Sequence, residues 1–309
     1  MSGAEFVPLS LAPLVIGVLS AMTCALPGNF LLLRRQALIG DAISHVVLPG
    51  IVVAFLVTGV VAAVPMMIGA AGAAVVAVVL IEAVRRLGRI EPGAAMGVIF
   101  TAMFAGGVLL LEQSDTSSVH LDVNHALYGN LESLIWLDAT GWASVLDPRA
   151  LAGLPPELFR VAIALVAVTA FVWIFWRALK ISTFDEAFAA TMGVRVNLLG
   201  IGLVIVAAVA AVAAFDAVGS ILVIAMFICP PGAARMMTNR LEHQVAWSLV
   251  FAALSATLGY VFAGYGPLWF GGQDSVSAAG MIAAISGLIL GLAALFGPHR
   301  RRTGAPQDA

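Results

Sequence analysis

Residues 37–50 read Ala-Leu-Ile-Gly-Asp-Ala-Ile-Ser-His-Val-Val-Leu-Pro-Gly, and the chain then runs on to residue 61 without a charge. A helix over 37–61 is long enough to cross a hydrocarbon layer about 30 Å thick. Asp41 and His45 stand four apart, so such a helix puts them on one face, with Ser44 beside them. A carboxylate at membrane depth costs roughly 2.5–3.5 kcal/mol on insertion scales, so the pair is expected to face a polar path rather than lipid. Carboxylate oxygen and imidazole nitrogen suit first-row divalent metals, and neither is soft enough to demand copper(I). Pro49-Gly50 follows one turn later and removes a backbone donor, which suits a helix that lines a pathway or moves. On spacing alone three readings stand: a metal site, a proton relay, or a pair that only ties helices together.

The rest of the chain has the same character. Its 309 residues are 61% hydrophobic and only 10% charged, and the mean hydropathy is +1.05. Soluble domains carry about 25% charged residues. This composition excludes an ordinary soluble enzyme, a disordered chain and a nucleic-acid binder, and lipid must cover part of the apolar surface. Cys24 and Cys229 both fall in apolar runs, too few and too far apart for a disulfide framework or a cysteine zinc site. The first residues, MSGAEFVPLS, lack a basic leader region, and 11–33 is too long for the core of one. It is read as a retained first span.

Nine segments are candidate spans: 11–33, 37–61, 64–84, 94–113, 161–179, 197–215, 218–234, 244–263 and 276–297. Eight remain if the first helix or the 215–234 region is not a full crossing. With the N-terminus outside, thirteen of the fifteen Arg and Lys residues fall on the inside, and only Arg149 and Arg160 fall in the one long outer loop, 114–160. That asymmetry follows the positive-inside tendency, so the expected orientation is N-terminus outside and C-terminus inside. Within the loop, 131–146 is apolar enough to lie flat on the membrane surface. Residues 298–309 form a short basic, then polar, inner tail.

Three blocks in order carry a resemblance. LIGDAISHVVLPGIVVAF at 38–55, FDEAFAATMGVRVN at 184–197 and VGSILVIAMFICPPGAARMMT at 218–238 resemble the metal-type ABC transporter permeases, a family that imports manganese, zinc or iron. HLDVNHALYGNLE at 120–132 is a fourth, weaker match. Together they cover the chain from about residue 10 to 297. The resemblance implies an all-α polytopic permease bundle like that of the vitamin B12 and siderophore importers. It carries a metal-coordinating role onto Asp41 and His45.

The two inner blocks also have a reading of their own. Thr183-Phe-Asp-Glu186 fits a capping box and Gly193 a C-terminal stop, which predicts a short inner helix over 184–193. Its acids, Asp185 and Glu186, read by spacing as a solvated face; the resemblance implies instead that they lie near the ATPase. Pro230-Pro231 is expected to break the seventh span, with a new short helix over 231–241 that holds Arg235 and Arg240. By resemblance this is the coupling helix that sits in a groove of the ATPase.

Other chemistry is weaker or excluded. The single lysine, Lys180, is preceded by Arg-Ala-Leu, so no phosphate-binding GxxxxGK[ST] loop exists and ATP must be hydrolysed on another subunit. No HExxH motif is present. Asp216, between two apolar runs, caps a helix at an outer turn or lines the exit of the path. His120, Asp122 and His125 form an outer cluster that either captures metal or belongs to a solvated docking surface. Glu82 is expected to pair with Arg85 or Arg86.

The sequence therefore predicts the membrane subunit of a divalent-metal ABC importer in the bacterial cytoplasmic membrane, with manganese first and zinc or iron next. It is expected to hold no permanent cofactor. Expected partners are an ATPase subunit, an extracytoplasmic metal-binding protein, a second permease copy or paralogue, and lipid, but no nucleic acid. The alternative is an ion- or proton-coupled secondary transporter with Asp41 and His45 as the relay; the span repeat it should show is not visible.

Overall fold

A computed structural model describes residues 6–59, 63–113, 129–269 and 276–298. Among these residues there is no strand, and nine helical stretches are long and apolar enough to cross a membrane. The protein is an all-α polytopic bundle.

Helix α1 (Val7–Leu33) opens with a π-helical turn, Val7–Leu11, and continues as a regular helix from Ala12. Then come α2 (Leu38–Thr58), α3 (Ala63–Gly88) and α4 (Pro92–Gln113). After two single turns, Leu131–Ser133 and Trp142–Leu146, the short α5 (Pro148–Ala152) leads into α6 (Pro156–Ile174). Helices α7 (Trp176–Phe184) and α8 (Glu186–Thr191) are also short. The bundle closes with α9 (Val196–Met237), whose two parts, Val196–Phe215 and Ala217–Met237, are separate spans, then α10 (Leu241–Trp269) and α11 (Ala278–Phe296).

The centre of the bundle is α9, packed against α1, α2, α3, α6, α10 and α11. Its sequence explains the position. Ala207, Ala210, Ala211, Ala214 and Ala217 are fully buried, and side chains this small let helix backbones approach closely where lipid supplies no competing drive. Helices α3 and α4 are peripheral: they pack on α2 and on each other, and only 17% of either spanning window is buried, against 61% for that of α1.

Two proline positions behave differently from expectation. Pro230 and Pro231 do not end a helix; both are buried inside α9, which runs on to Met237 before the chain extends at Thr238. No separate helix over 231–241 forms: Arg235 lies in the last turn of α9, and Arg240 precedes α10. The two missing N–H donors are tolerated because packing from α1 and α11 holds the helix on both sides. The actual break in α9 is Gly219, at φ 73° and ψ 172°, a conformation only glycine adopts readily. At α6, Pro155 and Pro156 start the helix earlier than 161, since proline suits the first helical position.

The Pro49-Gly50 step seats α2 on its neighbours. A Cβ on Gly50 would come 2.5 Å from the Gly69 carbonyl oxygen of α3, and one on Gly107 of α4 would come 2.6 Å from Pro49 Cβ. The absence of side chains at 50, 69 and 107 therefore sets how closely α2, α3 and α4 meet.

Candidate functional site

The first turn of α2 carries Asp41, and His45 lies one turn later. His45 Nε2 is 3.4 Å from Asp41 Oδ1, and the side chains keep 34% and 29% of their accessible surface. The pair thus forms on one helix face, as the spacing requires, and stays open on the side of the chain. Helix α4 walls it. The His45 imidazole stacks on Phe100 with ring centroids 5.4 Å apart and meets Phe104 edge-on at 5.6 Å. These two phenylalanines escaped the sequence reading, although two aromatics four apart on an apolar helix were a visible signal.

The arrangement supplies two hard-to-borderline donors, one oxygen and one nitrogen. No group of three or more His, Cys, Asp or Glu able to hold a metal occurs among the described residues. A divalent ion takes four or more ligands, so this pair alone is half a coordination shell. The side chains of Ser44 and Asp216 and the cluster His120, Asp122 and His125 lie outside the described residues. The backbone places residue 216 three positions before the Gly219 break in α9.

The second sequence block, 184–197, lies at the end of the bundle that carries Arg34, Lys180 and Glu242. Asp185, not Thr183, caps α8: its Oδ1 accepts from the Phe188 N–H at 2.8 Å. Gly193 follows with φ +80°, the left-handed stop expected there. Thr183 is still inside α7, where its hydroxyl accepts from Arg34 Nε at 3.2 Å, while Arg34 Nη2 donates to the buried Ser182 Oγ at 2.7 Å. A tertiary partner thus takes the hydroxyl that the local motif assigns to a cap. Burial pulls the Arg34 guanidinium below its ordinary pKa and the Glu186 carboxylate counters this. Arg34, Glu82, Arg85 and Glu186 line a cavity of about 130 Å³ between α1, α2, α3, α8 and α9. Glu82 pairs with Arg85 at 2.8 Å. Lys180 Nζ donates to Glu242 Oε1 at 2.5 Å and ties α7 to the start of α10.

Deeper at the same end, three fully buried polar residues join α1 to α10. Asn29 Nδ2 donates to Ser248 Oγ at 2.6 Å, and Gln244 Nε2 donates to Asn29 Oδ1 at 3.2 Å. The sequence reading passed over them, although an amide inside an apolar span is costly unless paired.

The family model described as the ABC 3 transport family matches residues 8–139 and 150–296. The chain belongs to the ABC 3 transport family. This is the metal-type ABC permease family that the three sequence blocks resemble. The family member described here is 37% identical over 282 residues to the manganese transport system membrane protein MntD of Bacillus subtilis (strain 168), covering 91% of this chain and 90% of the relative. It is 33% identical to the zinc transport system membrane protein TroD of Treponema pallidum (strain Nichols), over 94% of this chain and 74% of that one. Among solved structures it resembles PsaBC from Streptococcus pneumoniae in complex with Fab, with a TM-score of 0.74 and 26% identity over 94% of this chain and 92% of that chain. As a member of this family, the chain is a transporter permease subunit.

Proposed function

We propose that the chain is the membrane-spanning subunit of an ABC importer that carries a divalent metal into the cytoplasm, manganese first, with zinc and iron behind. The observation that carries this reading is the Asp41–His45 pair, 3.4 Å apart and open on one side of α2. A half-shell of ligands at membrane depth is costly if lipid covers it. It becomes useful if a second permease copy, or a paralogue, brings its own donors to the same path. The relatives with manganese and zinc in their names support the substrate class. Asp41 and His45 accept manganese, zinc and ferrous iron alike, and affinity order alone does not select among them.

Within this reading the chain binds and passes the ion, and a separate ATPase supplies the energy, since the chain holds no phosphate-binding loop. Asp185 and Glu186 sit on the inner face, where α8 receives the movement of the ATPase. The Arg34 clamp on Ser182 and Thr183 would pass that movement from α7 and α8 to α1. The end of α9, with Arg235, is the second contact with the ATPase; Pro230 and Pro231 stiffen it from within. An extracytoplasmic metal-binding protein docks at the opposite end, touching the 114–160 loop. The orientation is N-terminus outside and C-terminus inside, in a bacterial cytoplasmic membrane, following the placement of arginines.

The test is reconstitution of the permease with its ATPase and metal-binding protein in proteoliposomes, followed by uptake of manganese, zinc and ferrous iron. Asp41→Asn and His45→Ala are expected to abolish uptake of the transported ion while the complex still assembles. Wild-type uptake by both variants would overturn the metal assignment. Uptake that survives ATP depletion but collapses with the proton gradient would return the pair to a relay role.

A further inference from the structure

Residues 129–155, ahead of α6, have two faces of opposite character. One is a small core. Trp136 is almost fully buried with Ala139 and Ala150 against Val7 and Ala12 of α1. Its backbone N–H donates to the Pro8 carbonyl at 2.8 Å, and its indole N–H to the Ala150 carbonyl at 2.7 Å. The segment is therefore held firmly on the first turns of α1. The other is open: Leu137 is 79%, Trp142 61% and Leu146 88% exposed. Trp142 and Val145 lie three apart on a tight turn, so they project the same way.

The height of this face is set by α1. Trp142 stacks on Phe6, centroids 6.3 Å apart, and Phe6 directly precedes the span that starts at Val7. Residue 156, ten positions after Leu146, begins the next span. Trp142 is thus beside the first residues of one span and a short stretch of chain from the start of another, and span ends are where amphipathic rings such as tryptophan concentrate.

We propose that the Leu137–Trp142–Leu146 face is a membrane-interface anchor, seated in the lipid headgroup layer rather than on a protein partner. It fixes the segment's height, and the segment in turn holds two spans. Glu132 accepts from the Ala278 N–H at the start of α11, and the Asn130 N–H donates to the Ala217 carbonyl at 3.3 Å beside the Gly219 break in α9. The inference is independent of which ion the protein carries.

The experiment uses the full chain in nanodiscs of phosphatidylethanolamine and phosphatidylglycerol, with Cys229→Ala and Leu146→Cys, the new thiol labelled with an environment-sensitive nitrobenzoxadiazole dye. Position 146 is exposed, so the substitution leaves packing intact; a matching Leu137→Cys chain guards against an effect of one site. Nitroxide lipids labelled near the headgroup are expected to quench both dyes several-fold more than a water-soluble nitroxide does, with blue-shifted emission. Stronger quenching from water than from lipid overturns the proposal. So does shielding that arises only when an extracytoplasmic metal-binding protein is added, which would assign the face to that partner.

Discussion

His45 of α2 lies flat against Phe100 of α4, ring centroids 5.4 Å apart and planes 20° from parallel, while its Nε2 points to Asp41. The phenyl ring therefore fixes the plane in which the imidazole offers its nitrogens. A π-face also favours a ring whose edge is made more positive by a cation, as a neutral imidazole's is when it ligates a metal.

This contact predicts a graded response. Aromatic pairs contribute about 0.5–1.5 kcal/mol beyond their buried area. Phe100→Ala should raise the metal concentration for half-maximal uptake by about 2- to 10-fold, and Phe100→Tyr should restore it. Initial-rate uptake in proteoliposomes checks this. Equal affinity in the alanine variant shows that the stack has no positioning role.

Asp41 and His45 should behave as a unit. If both hold the same ion, Asp41→Asn with His45→Ala will be no worse than either single change, because the first removes what the second would have cost. Direct binding of manganese to the purified importer complex measures this. Strictly additive losses point to separate roles.

The Arg34 clamp predicts a stability effect away from the ion. Arg34→Ala removes two hydrogen bonds to Ser182 and Thr183, and bonds to a charged donor contribute roughly 1.5–3 kcal/mol. The melting temperature in detergent should fall. Arg34→Lys should recover only part of it, since an ammonium cannot copy the planar fork of a guanidinium.

Glycines 50 and 72 should separate under the same substitution. Gly50→Ala pushes a methyl group into the Gly69 carbonyl, and overpacking of this kind costs roughly 1–3 kcal/mol. A Cβ at Gly72 meets nothing, so Gly72→Ala should be neutral or stabilise its helix by about 0.5–1 kcal/mol. Thermal unfolding of the two variants side by side gives the contrast directly.

The membrane fold was legible because it depends on one-dimensional properties. Long apolar runs must become helices in lipid, where every backbone N–H and carbonyl needs an internal partner. The four-residue spacing of Asp41 and His45 likewise dictates one face of one helix. Local motifs were less dependable where a tertiary partner competes. Thr183 looks like a cap, yet Arg34, 149 residues away in the chain, takes its hydroxyl, and Asp185 caps α8 instead. Pro230-Pro231 looks like a stop, yet packing from α1 and α11 carries α9 through it, and the break falls at Gly219.

Composition and spacing along the chain thus account for the spans, the acid–imidazole pair and the lack of an ATP site, since each is a property of neighbouring residues in water or lipid. Which helix walls His45, which cation reaches Thr183 and where α9 bends depend on contacts between residues far apart in the chain. No local signal encodes those, because many partners are chemically adequate and only the packed bundle selects among them.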